Sequence, residues 1–145
     1  MANNTITSAD AVFLLSVDQL YPDAQLLQGY MADRAFETDA VEIAELVLGV
    51  DGNLSAGFVP YMVKTTISIM PDSPSSDIFE NWIEAERQGR VKLTAQGSIT
   101  LPATGRQYTL TDGYLTTITA VPAAARVLQG RPFVITWNTI SVAPL

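Results

Sequence analysis

The chain has 145 residues, 48% of them hydrophobic and 16% charged, a composition that suits one globular domain over residues 1–145 and not a disordered tail. It contains no cysteine and no histidine, which excludes disulfide frameworks, thiol nucleophiles, thiolate or imidazole metal sites and histidine-based acid–base catalysis. Fifteen acids against eight bases give a net charge of −7, a poor basis for nonspecific binding of nucleic acid.

The opening ten residues carry no base, and the first base of the chain is Arg34, so no secretory signal is expected. The longest clean apolar run, Ala11 to Leu15, falls far short of the ~18 residues of a membrane span, and no membrane insertion is expected. Beyond it the pattern is one of short alternating runs between turn residues, the signature of β structure. Strands are expected over Ala11–Val17, Ala24–Leu27, Val41–Leu48, Val59–Met70, Val91–Leu101, Gln107–Leu110, Leu115–Val121 and Phe133–Ile140. Turns are expected at Tyr21-Pro22-Asp23, Asp51-Gly52-Asn53, Pro102–Gly105, Asp112-Gly113 and Gln129-Gly130. Asp112-Gly113 between two alternating runs reads as a hairpin turn.

One segment departs from this rule. Ile78, Phe79, Trp82, Ile83 and Ala85 recur at helical spacing between Ser75 and Gly89. Ser73 suits the N-cap, Pro74 the first helical position and Gly89 the stop. Asp77 near the start and Arg87 near the end complement the helix dipole. Ile78, Phe79, Trp82 and Ile83 are therefore expected in the core. The fold class is mainly β (α+β), a sandwich or barrel with one flanking amphipathic helix.

The charges are unevenly spread. Residues 1–51 hold nine acids and one base, and residues 52–145 hold six acids and seven bases. The stretch around 28–57 is a polar excursion carrying Asp33, Glu37, Asp39, Glu42 and Glu45, the kind of segment that serves as a functional loop or an interface. Lys92, Arg106, Arg126 and Arg131 form a basic surplus in the last third, complementary to the acidic part of a neighbouring copy. Glu80, Glu84 and Glu86 on the helix read as a solvated face, with Arg87 offsetting Glu84. Asp51-Gly52-Asn53 lacks the later ligands of a calcium loop and reads as a turn. Neither a dinucleotide fingerprint nor a Walker-type loop is present.

Three stretches resemble bacteriophage tail tube proteins of the contractile-tailed, myovirus type. They are Thr65 to Ser75, a strand running into a Pro/Ser helix start; Val50-Asp51-Gly52 upstream of it; and the C-terminal block, Tyr108 to Ala120 with Arg126, Gln129-Gly130 and the Phe133–Ile140 strand. Related tail components such as tube initiators share these patterns. The resemblance implies hexameric rings that stack into a hollow inner tube conducting phage DNA into the host. The excursion would reach an adjacent ring, and its acids, Asp33, Glu37, Asp39, Glu42 and Glu45, would line the channel or stack rings. Lys92, Arg106, Arg126 and Arg131 would meet neighbouring subunits. The implied partners are further copies, the sheath, the baseplate or initiator and the tape-measure protein, with DNA passing unbound. The implied place is the virion tail, assembled in the bacterial host cytoplasm.

Physical chemistry agrees with that picture: a β domain with open edges aggregates unless they are charged, covered or paired, and identical neighbours can pair them. No residues suggest an enzyme or a cofactor. A monomeric β-sandwich module recognising a glycan or peptide is the alternative, and it requires an exposed aromatic cluster with polar groups.

Overall fold

The computed structural model describes residues 11–27, 36–121, 124, 126, 128 and 130–144. Among them the chain forms β1 (Val12–Val17), β2 (Tyr21–Leu26), β3 (Phe36–Thr38), β4 (Ala44–Leu48), β5 (Leu54–Phe58), β6 (Val63–Ile69), α1 (Ser75–Gly89), β7 (Ala95–Leu101), β8 (Arg106–Ile118) and β9 (Arg131–Pro144). Seven strands make one antiparallel sheet in the order β2–β1–β7–β8–β9–β6–β3, while β4 and β5 pair apart from it as a hairpin.

The long sheet curls on itself. β1 and β3 stand five places apart in its order, yet the rings of Phe13 and Phe36 meet edge to face with centroids 5.5 Å apart. Alternation along each strand sends Phe13, Leu15 and Val17 of β1, Ile67 and Ile69 of β6, and Phe133, Ile135 and Trp137 of β9 to the inside. The result is a mainly β fold, a curled antiparallel sheet with one flanking helix, within the sandwich or barrel class that the alternating runs lead one to expect.

Helix α1 packs one apolar stripe into this interior. The Phe79 ring stacks on Phe133 at 4.3 Å, and Trp82 follows Phe79 at 6.2 Å. Ile78, Phe79 and Trp82 are buried and Ile83 is half-buried against the same cluster. Pro74 already has helical dihedrals, and the Ser73 hydroxyl accepts the Ser75 N–H at 3.1 Å, so Ser73 caps the helix as its sequence suggests. At the other end the expectation needs correcting. Gly89 is the last helical residue, and Arg90 takes the left-handed position at φ 54°, its N–H bonding Glu86 O at 2.8 Å.

Other differences have local causes. The first turn falls on Asp18–Leu20, not Tyr21-Pro22-Asp23, because Gln19 adopts φ 69° and Val17 pairs with Tyr21. Pro22 then sits in β2, an edge strand whose free side needs no N–H. The strand expected over Val59–Met70 starts only at Val63, after Pro60, and Leu54–Phe58 forms a separate strand. Asp112-Gly113 is not a hairpin turn. β8 runs straight through it, and Gln96 of β7 faces both Thr111 and Asp112 in a bulge, with Asp112 at φ 52°. The amide of Gln96 closes that bulge: Nε2 donates to Asp112 Oδ1 at 2.8 Å, and Oε1 accepts the Asp112 N–H at 3.2 Å. Asp51-Gly52-Asn53 does turn the chain, between β4 and β5, with Gly52 at φ 85°. Of the Gln129-Gly130 turn, Gln129 lies outside the described residues.

Candidate assembly surface

The β4–β5 hairpin is an arm of two five-residue strands, each about 17 Å long. Its register pairs Ala44 with Phe58, Leu46 with Ala56 and Leu48 with Leu54. Directly opposed residues share a face, so one face of the arm is wholly apolar. Glu45 opposite Gly57 and Val47 opposite Ser55 form the other. That apolar face stands in the open: Leu48 is 69% exposed and Phe58 80%. An isolated two-stranded hairpin is marginal in water, and single chains rarely expose apolar patches of this kind without a partner for them.

Within the described part of the excursion, residues 36–57, polarity is therefore not uniform. Acids do stud the segment, but the strands within it are apolar on one side. The signal was present as apolar residues at 44, 46 and 48 and again at 54, 56 and 58, flanking the Asp51-Gly52 turn. The turn itself is well built. Asp51 Oδ1 accepts the Asn53 N–H at 3.1 Å, and Oδ2 accepts Asn53 Nδ2 at 2.8 Å. These bonds hold the Asp51 carboxyl below the usual aspartate range.

Of the acids expected to line a channel or stack rings, Asp33 lies outside the described residues. Glu37 is exposed on β3, opposite Thr66. Asp39 follows it, its N–H bonding Lys64 O at 2.9 Å. Glu42 precedes the arm and Glu45 is on its polar face, both exposed. The four described acids are thus strung along the chain from the sheet edge into the arm. Among the described residues no three acids are grouped to hold a metal ion, and no helix is long and apolar enough to cross a membrane.

The four expected subunit-contact bases divide sharply. Arg106, at the start of β8, and Arg126 are exposed. Lys92 is engaged within its own chain, donating to Glu86 Oε1 at 2.5 Å and Leu115 O at 2.8 Å. Arg131 must be withdrawn as a contact residue, because its side chain is only 3% exposed. It donates to Ala120 O at 3.0 Å and Ser76 Oγ at 3.2 Å, pairs with Glu80, and lies over the Phe133 ring at 5.0 Å.

The helix carboxylates also differ from a uniformly solvated face. Glu84 does pair with Arg87, at 2.5 Å, in the open, which holds its carboxyl below the usual glutamate range. Glu86 is 12% exposed, and its Oε2 accepts both Trp82 Nε1 at 2.9 Å and the Leu93 N–H at 3.0 Å. Each of the three carboxylates is thus committed to a base of its own chain: Glu80 to Arg131, Glu84 to Arg87 and Glu86 to Lys92.

No curated protein matches the sequence. Solved structures share the fold. A chain in the sheath-tube complex of an extracellular contractile injection system (PVC, extended state) aligns at TM-score 0.63 and 12% identity, covering 92% of this chain and 88% of that one. A chain in the tube-terminating cap of the anti-feeding prophage (AFP) gives TM-score 0.63 and 12% identity, with 100% and 95% covered. A chain in the six-fold symmetrised AFP baseplate gives 0.57 and 10%, with 99% and 98% covered. At these identities the likeness is one of fold. A family model described as tail fiber protein gp32 matches residues 4–141, nearly the whole sequence, and the chain belongs to that family of phage tail proteins.

Proposed function

We propose that this protein is a structural subunit of a tail tube: six copies close into a ring, rings stack, and DNA leaves the virion through the bore. The observation that carries the reading is the arm, whose apolar face, Leu46, Leu48, Leu54 and Phe58, is exposed and without cover among the described residues. Burying such a surface against another copy supplies the association free energy that the isolated hairpin lacks. Open strand edges support the same reading. Beyond Trp137, β9 is paired only with β8, leaving Asn138–Pro144 an unladdered side among the described residues, and identical neighbours can close such edges into rings.

The acids Asp33, Glu37, Asp39, Glu42 and Glu45 serve the bore or the stacking of rings. Duplex DNA carries one charge per ~1.7 Å, so basic contacts repeated along a tube would hold it. An acidic wall, its field reaching about 8 Å at physiological salt, keeps it moving. Sheath, baseplate or initiator and tape-measure proteins are the expected neighbours, and assembly takes place in the host cytoplasm. The role needs no enzymatic activity.

A terminal position in the tail is the second reading, favoured by the equal fold likeness of the AFP cap chain. For a glycan- or peptide-binding module the two tryptophans are out of reach, since Trp82 and Trp137 are both fully buried, and the exposed aromatic pair, Phe58 with Tyr61 at 6.3 Å, belongs to the arm and the segment just after it. Sedimentation and electron microscopy of concentrated protein, with and without tail initiation components, test the proposal. Rings or tubes are expected, and a monomer under every condition would refute it.

A further inference from the structure

Strand β8 outruns its neighbour on one side. Ala95 of β7 pairs with Gly113, and beyond it residues 114–118 have no partner on the β7 side among the described residues. Their other side stays laddered to β9 as far as Phe133. Residues 114–121 include no charge, no proline and no glycine, and five of the eight are β-branched. A bare edge of that composition is a template for pairing with other chains. There is room for a strand to enter. Between helix α1 and the edge lies an open groove of about 350 Å³, lined by Ile83 of the helix and by Leu115, Thr116 and Ile118 of β8.

One side chain stands in that opening. Lys92, in the link between α1 and β7, donates from Nζ to Leu115 O at 2.8 Å, so its ammonium occupies an edge carbonyl that an incoming strand needs. Glu86 Oε1 holds it there at 2.5 Å, and Glu86 is fixed in turn by Trp82 Nε1 and the Leu93 N–H. Arg87, the other base beside the groove, is committed to Glu84. Resting on the tail-assembly reading above, we infer that Lys92 is a guard on this edge, an intrachain contact that keeps residues 114–118 from pairing with another copy until it is displaced. An incoming strand must take the Leu115 carbonyl from its present donor, and it must either desolvate the ammonium or push it aside. The Lys92 side chain is 54% exposed, so it can swing into water at little cost once a well-placed strand arrives. The guard therefore sets a concentration threshold for association and does not forbid it.

Lys92→Met keeps the stem and removes both the donor and the charge. Sedimentation across a concentration series reads the association threshold, and circular dichroism checks the fold. The variant is expected to associate at about one tenth of the native threshold or less, since a charge-assisted bond no longer opposes pairing. Adding Thr116→Lys puts a charge back on the same edge and should return the threshold to its native value, which mere destabilisation by Lys92→Met would not allow. If Lys92→Met does not fold, Thr116→Lys in the otherwise native chain decides, with a threshold raised about tenfold expected and an unchanged one against the guard. A native threshold in folded Lys92→Met, or one that stays low in the double variant, refutes the guard and leaves the tail reading standing. A native chain that stays monomeric under every condition refutes the tail reading; association by Lys92→Met alone then still upholds the guard, and a monomeric Lys92→Met ends both.

Discussion

The indole of Trp137 lies flat against the backbone of Gly113: a Cβ built at 113 would stand 2.4 Å from Cε3 and 2.6 Å from Cζ3. The two residues face each other across the β8–β9 ladder, and only the absence of a side chain lets the ring occupy the barrel interior. Gly113→Ala should therefore destabilise by about 1–3 kcal/mol through overpacking. Gly97→Ala, whose Cβ would meet the same ring at 3.1 Å, should cost less. Denaturant midpoints check both, and an unchanged midpoint for Gly113→Ala would show that the ring lies elsewhere.

Arg131 ties three segments together, because it reaches Ser76 and Glu80 on the helix and Ala120 after β8 while stacking on Phe133. Arg131→Met keeps the stem but leaves the Ala120 carbonyl and Ser76 hydroxyl without their donor, at a cost of about 1–3 kcal/mol. Glu80→Gln should cost measurably more than Glu84→Gln, since Glu80 faces a buried guanidinium and Glu84 an exposed one. Thermal melts of the two Gln variants decide the order, and equal melts would contradict it.

Trp82 is buried and also donates to Glu86. Trp82→Ala should cost about 3–5 kcal/mol. Trp82→Phe keeps most of the packing and removes only the N–H, so its loss should be closer to 1 kcal/mol. A melting curve untouched by Trp82→Ala would mean that the helix does not pack as described.

The helix and its capping residues were legible in the sequence because every determinant is local: Ser73, Pro74 and a stripe within fifteen residues. Long-range determinants were not. An Asp-Gly pair makes a hairpin turn or a bulge with equal ease, and Trp137, twenty-four positions on, selects the bulge at Asp112-Gly113. Arg131 reads as a surface base until Glu80 and Ser76, some fifty residues earlier, are brought to it. In the arm, the acids between Glu37 and Asp51 set the average polarity and hid a face defined only by the pairing of Leu46 with Ala56 and Leu48 with Leu54.

The turn of the arm should respond to acid. Both bonds from Asn53 favour ionised Asp51 and lower its pKa in the folded state. A depressed carboxylate contributes stability above its unfolded pKa and loses it as the pH falls through the folded one. The Asn53 amide resonance should hold steady from neutral pH down through the usual aspartate range and shift only below it. A transition at or above that range would contradict the Asp51 geometry.

In the proposed role, copies of this chain build the shaft of the tail through their arms. Cryo-electron microscopy of tails from its own particles tests it most directly. Stacked six-membered rings of this chain around the bore are expected, each Leu46–Phe58 arm covered by another copy. Finding the chain only in peripheral appendages or in the capsid, with the arm left in solvent, would contradict it.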